Sequence, residues 1–230
     1  MALWKSQQGD HTSDWLQAVL ISSLGQTMNG KTYRCVLCYR LGVPLFSVLK
    51  PCLACSRVFA GDIYGDHAVL CAGIIGIKHL HNLVCDTLVD IYYRSGISVD
   101  KEVDIGLDGG HDKPLRPANI LLYSWDRGLD VCVDLMGSSP LTQTGITGFV
   151  SGHAVIYAAQ NKRVKYDTKC ATIGNGFLPF SFSSLGELEE GAVTLLKRIQ
   201  KYFMTQDVEA RAAVHIFNRI GFSISKRVGA

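Results

Sequence analysis

Four residues constrain this chain more than any others: Cys52, Cys55, His67 and Cys71, in the spacing C-x2-C-x11-H-x3-C. A short ligand pair at each end of a Gly-containing loop lets one Zn2+ collect four ligands tetrahedrally with no regular sheet or helix beneath it. The segment therefore reads as a zinc knuckle in which all four side chains hold a structural Zn2+. Ordinary buried thiols beside a surface histidine account less well for two close pairs around a loop rich in Gly and Asp. Cys35 and Cys38 imitate another ligand pair, but Cys38 falls in Val36-Leu37-Cys38-Tyr39-Arg40-Leu41, an apolar helical face where a small buried thiol is the commoner occupant. His79 and His81 follow closely and read as polar residues at the start of a helix, since structural zinc needs no fifth ligand.

The rest of the chain is long enough to build a core without staples. It has 230 residues, 47% hydrophobic and 19% charged, which suits one large domain or two small ones and argues against disorder. Cys35, Cys85, Cys132 and Cys170 sit singly in apolar or helical patterns, so reduced thiols are expected there rather than a disulfide framework. A net charge of +3 permits a nucleic-acid partner without demanding one. The first residues lack the basic start and apolar run of a signal peptide, and no stretch approaches the ~20 apolar residues of a membrane span. A soluble, intracellular protein with no membrane partner is the expectation.

The pattern along the chain predicts an α+β fold. Ser13 or Asp14 starts a short helix through Leu20, and Asn29-Gly30 turns into a second, Lys31 to Leu41, ended by Gly42 and Pro44. After the knuckle, Leu80, Leu83, Val84, Leu88 and Ile91 recur at helical spacing within Ile77–Arg94, with Gly96 as the stop. Then the period changes to two. Ile97–Ile105, Pro117–Tyr123 and Leu129–Met136 read as three strands, followed by a helix from Gly152 to about Thr168, a short strand Phe177–Phe182, and closing helices Leu185–Met204 and Asp207–Ile220. The change of pattern divides the chain into 1–75, helices and knuckle, and 76–230, an αβββαβ core with C-terminal helices.

Within that core, Asp130, Cys132 and Asp134 share one face of the third strand while Val131, Val133 and Leu135 share the other, and a hairpin brings Asn119 beside Asp134. Metal-dependent nucleases place two acidic side chains on adjacent strands to hold Mg2+, with a lysine steadying the developing charge. Asp134 equally suits a strand-edge pairing with Arg116. Lys162, Arg163, Lys165 and Lys169 equally suit the solvated face of a helix, and Tyr166 an anchor at the edge of the core.

Taken together, Trp15-Leu16, Tyr39-Arg40-Leu41-Gly42, the knuckle with Gly65-Asp66-His67-Ala68, His81-Asn82, Arg116-Pro117-Ala118, Val133-Asp134 and Lys162-x-x-Lys165-Tyr166 resemble the C-terminal region of non-LTR retrotransposon polyproteins. That region combines a CCHC zinc knuckle with a restriction-like endonuclease of the PD-(D/E)XK superfamily, which nicks DNA to prime reverse transcription. The resemblance implies Cys52, Cys55, His67 and Cys71 as zinc ligands and Asp134 as the acidic ligand for a catalytic Mg2+. It makes Lys162 or Lys165 the displaced lysine, Lys165 being the first choice, and offers Glu102, or equally Asp104, as a further oxygen ligand. It also implies a nuclear location and DNA as partner, with retroelement RNA or a reverse transcriptase besides.

One position departs from the family pattern: where a first aspartate is expected after Arg-Pro-Ala, this chain has Asn119. An amide oxygen ligates a hard cation but brings no charge, which would cost about three orders of magnitude in rate. The expected function is thus a retroelement-derived DNA-binding protein weakened or inactive as a nickase. The alternatives are a working Mg2+-dependent endonuclease in which Glu102, Asp104 or Asp130 supplies the charge, and a zinc-stabilised scaffold for protein partners. In the scaffold alternative, Leu195, Leu196, Ile199, Val214, Ile216 and Phe217 would line an exposed groove.

Overall fold

A computed structural model describes residues 2–22, 25–46, 51, 55, 63–71, 76–108, 114–115, 117–141, 150–205 and 215–229. The fold is mixed α+β, a four-stranded sheet between flanking helices. Helix α1 spans Ala2–Ser6, α2 Gly30–Leu41, α3 Asp66–Leu70 and α4 Gly76–Arg94. Strand β1 follows at Val99–Lys101, then a separate two-stranded ribbon of β2, Leu107–Asp108, and β3, Pro114–Leu115. The hairpin of β4, Ile120–Asp126, and β5, Leu129–Ser138, leads through α5, His153–Thr172, to β6, Gly176–Ser183, and the chain closes with α6, Glu190–Thr205, and α7, Ile216–Val228.

Sheet order is β1-β4-β5-β6, antiparallel except for the parallel β5–β6 pair, which α5 connects. A parallel pair needs such a crossover, because a tight turn reverses direction. Alternation along the strands divides the two faces. Ile120, Leu122, Val131, Val133, Leu135, Phe180 and Phe182 join α4, α6 and α7 in the principal core, while Leu121 and Cys132 pack with Tyr166 and Cys170 of α5 on the other side. Glu187 sets the start of α5, its carboxylate accepting from the Gly152 N–H at 2.9 Å and the Ser151 hydroxyl at 2.8 Å.

Several sequence expectations meet specific departures. Asn29 caps α2 by accepting from the Thr32 N–H at 2.8 Å, and Gly42, at φ 66°, ends it. The segment from Asp14 forms only a 3-10 turn, Asp14–Gln17. Strand β1 covers only three residues of the expected 97–105, because β4 begins at Ile120 opposite Lys101 and Glu102 then adopts φ 55°, leaving the extended region. Glu102 and Asp104 therefore do not lie on a strand face. The stretch from Leu185 starts with a turn closed by the Ser183 N–H to Glu187 carbonyl bond and Gly186 at φ 85°, so α6 begins only at Glu190. Of the expected Asp207–Ile220 helix, residues 207–214 lie outside those described. Its described part runs on to Val228 through Gly221, which packs directly on Trp15.

The proposed C-terminal groove is corrected outright: Leu195, Leu196, Ile199, Ile216 and Phe217 are all buried core residues, and Val214 lies outside the described residues. Large exposed apolar side chains sit instead at Trp4, Leu16, Leu20, Leu41 and Phe46. The expected boundary, between residues 75 and 76, adjoins residues 72–75, which lie outside those described, and the core cluster draws Leu3 and Tyr39 together with residues of α4, α6 and α7. No helix among the described residues is long and apolar enough to cross a membrane.

Candidate functional site

After α2, the Leu45 and Phe46 N–H groups both donate to the Ile63 carbonyl at 2.8 and 3.0 Å. Gly65, at φ 88°, then turns the chain into α3, and a Cβ there would press on Leu45 at 3.1 Å. Within α3 and its C-cap, His67 and Cys71 are four residues apart and so project from the same side of one helical turn. Cys55, earlier in the chain, meets them. The Cys55 and Cys71 sulfurs and a His67 ring nitrogen all lie within 4.8 Å of one another, Cys55 Sγ and His67 Nε2 at 3.4 Å.

That spacing fits a tetrahedral metal. Zn–S and Zn–N bonds of about 2.3 and 2.0 Å put neighbouring ligand atoms roughly 3.5–3.8 Å apart, and two thiols with an imidazole suit Zn2+ far better than a hard cation such as Mg2+. Cys71 is buried, whereas Cys55 and His67 are half-buried, so the cluster closes against the core on one side. Cys52, the fourth expected ligand, lies outside the described residues. Sequence reasoning passed over Asp66, whose buried carboxylate sits immediately before His67. Its only sequence signal was its place in Gly65-Asp66-His67.

A second cluster lies between β5 and α5. Asp134, 4% exposed, faces α5 and forms an ion pair with Lys162 Nζ at 2.7 Å. Burial raises its pKa above the ordinary carboxylate value, with Lys162 first, then His81 and Lys165, opposing the shift. Lys165 stands 4.8 Å over the Tyr166 ring and Lys162 5.3 Å over it. Asn119 lies one step beyond the Ile120–Val133 pair, beside Asp134 as expected, but its Oδ1 accepts the Leu135 N–H at 2.7 Å. Its oxygen therefore already braces the β4–β5 ladder.

The other acidic candidates make different contacts. Glu102 is exposed and tied through its backbone N–H to the Asn119 carbonyl at 2.8 Å. Asp104 caps a turn at the Gly106 N–H, and Asp130 accepts from the Ser124 N–H at 2.9 Å, at the hairpin end of β5. Arg116, the alternative partner for Asp134, lies outside the described residues. Cys35 and Cys38 are half-buried on α2 and are not members of the described metal cluster.

Fold and site together define a mixed α+β protein with a Cys/His/Cys cluster able to coordinate a metal ion. No protein-family model matches this chain, and no curated protein matches it.

Proposed function

We propose that this chain is a zinc-stabilised scaffold on a restriction-endonuclease-like framework, related to the C-terminal region of non-LTR retrotransposon polyproteins, which works by binding and not by cutting. The observation that carries the proposal is the convergence of Cys55, His67 and Cys71 on one metal-sized volume. Two further features support it. Helix α4, an antiparallel three-strand run, α5 and a parallel fourth strand follow the αβββαβ order read from the sequence pattern, an order compatible with such a framework. In addition, exposed Trp4, Leu16, Leu20 and Phe46 offer apolar surface of the kind that protein partners cover.

The purified full chain is expected to carry about one zinc per molecule and to lose it, with a fall in Tm, on chelation. Cys71→Ser should abolish zinc retention. A chain that folds, takes up no zinc and melts identically with and without chelator would overturn the proposal.

A second reading, Mg2+-dependent DNA nicking in a nuclear setting with retroelement RNA or a reverse transcriptase as further partners, is favoured by one observation: buried Asp134 pairs with Lys162 midway along the basic helix α5, with Lys165 nearby. In this reading, a hard cation would displace Lys162 from Asp134, and Lys162 or Lys165 would then be available to a phosphate. On the binding reading, by contrast, Asn119 adds no charge, so the native chain should leave supercoiled plasmid intact in Mg2+, and Asn119→Asp should raise nicking by about three orders of magnitude. Native cleavage that Asp134→Ala abolishes would favour the enzyme, whereas DNA affinity falling steeply with salt would favour a nucleic-acid binder, active or inactive, over a protein scaffold.

A further inference from the structure

Helix α3 has five residues, too few to hold a helical turn by itself, so its orientation must come from tertiary anchors. Asp66 supplies one. Its carboxylate accepts the Tyr39 hydroxyl of α2 at 2.6 Å and the Ser139 hydroxyl beyond β5 at 2.5 and 2.6 Å to its two oxygens. Ser139 Oγ in turn accepts the Leu141 N–H at 3.0 Å. The single phenolic proton of Tyr39 goes to Asp66, so the Ser184 hydroxyl, 2.6 Å from the Tyr39 oxygen, donates to it. Burial, reinforced by the Asp66 charge, holds the Tyr39 phenol well above its ordinary pKa and keeps it a donor. Hydroxyl donors from α2 and the end of β5 thus meet on a carboxylate one residue before a metal ligand, and the Ser184 hydroxyl after β6 backs the first of them.

We infer that Asp66 is the positioning residue of the metal clip, its hydroxyl-bound carboxylate fixing α3 on the end of the sheet so that His67 and Cys71 meet Cys55. This rests on the zinc reading above and extends it to how the site is built. Two of the three described ligands ride on the turn that Asp66 opens, so a rotation of that turn displaces both together relative to Cys55. Hydrogen bonds to a charged acceptor are the stronger and shorter kind, which suits them to hold such a turn. An amide in place of the carboxylate offers one acceptor oxygen for these hydroxyls instead of two and turns its NH2 donors toward hydroxyl donors.

The test uses the full chain, zinc competition against a chromophoric chelator, and the Co2+-substituted absorption spectrum as a reporter of ligand geometry. Asp66→Asn should weaken zinc binding about 10- to 100-fold, the cost typical of outer-shell partners, and alter the tetrahedral Co2+ bands. Ser139→Ala, a milder change that keeps the experiment readable if Asp66→Asn folds poorly, should weaken zinc in the same direction by less. In the Asp66→Asn background, Ser139→Ala should add almost nothing, because both act through one carboxylate. A purely packing role for Asp66 would lower the Tm of the chelated protein while leaving zinc affinity and the Co2+ bands as in the native chain. That result, or unchanged zinc affinity in both single variants, overturns the inference while the zinc reading stands. A native chain that takes up no zinc overturns both.

Discussion

Burial works against the Asp134 carboxylate more strongly than Lys162, His81 and Lys165 work for it, so its pKa stands above the ordinary value. The folded protein then holds this proton more tightly than the unfolded chain does. Stability contributed here is greatest in acid and declines as pH rises from about 4, the ordinary carboxylate value, through the raised folded pKa. Asp134→Asn removes the titrating group. Its stability relative to the native chain should therefore be higher at pH 7 than at pH 4, measured by urea unfolding at both. An equal difference at the two pH values would remove the desolvation argument. The face of Asp134 was legible from strand alternation alone, since Val131, Val133 and Leu135 fill the opposite side. Its cationic partner was not, because Lys162 and Lys165 share one helix side and only the 2.7 Å approach of Lys162 selects between them.

Helices were read well where their signals are local. Asn29 and Gly42 mark the ends of α2 through a side-chain cap and a left-handed residue, both properties of single residue types. What α2 packs against carried no such signal. Arg40, 3% exposed, donates to the Thr12 and Leu185 carbonyls at 2.9 Å, to Ser225 Oγ at 2.8 Å and to Gln7 at 3.2 Å, and lies 5.1 Å over the Trp15 ring. It joins the N-terminal segment, the turn after β6 and α7, and burial lowers its pKa to about 10. Among the described residues its Nε has no hydrogen-bond partner. Arg40→Ala should cost about 3 kcal/mol in chemical denaturation, since it strands two buried carbonyls and opens a cavity. A loss below about 0.5 kcal/mol, the usual range for a surface change, would show that these elements hold together without it.

Across the molecule, the sequence determined the kind of element at most places, the two-sided alternation of β5, and all three residues described in the metal cluster, which are three of the four ligands expected. Those features depend on residue type and on spacing along the chain, which backbone geometry converts directly into faces and caps. Tertiary structure alone decided which candidates meet. It ended β1 at Lys101, because pairing requires a partner residue and β4 starts at Ile120. It took the Asn119 oxygen for the Leu135 N–H, buried the apolar residues of α6 and α7 that read as a groove, and drew Tyr39, Ser139 and Ser184 from distant segments toward Asp66. Hydroxyl and amide groups carry no periodic signal, and each satisfies its hydrogen bonds wherever folding brings a donor and an acceptor within reach.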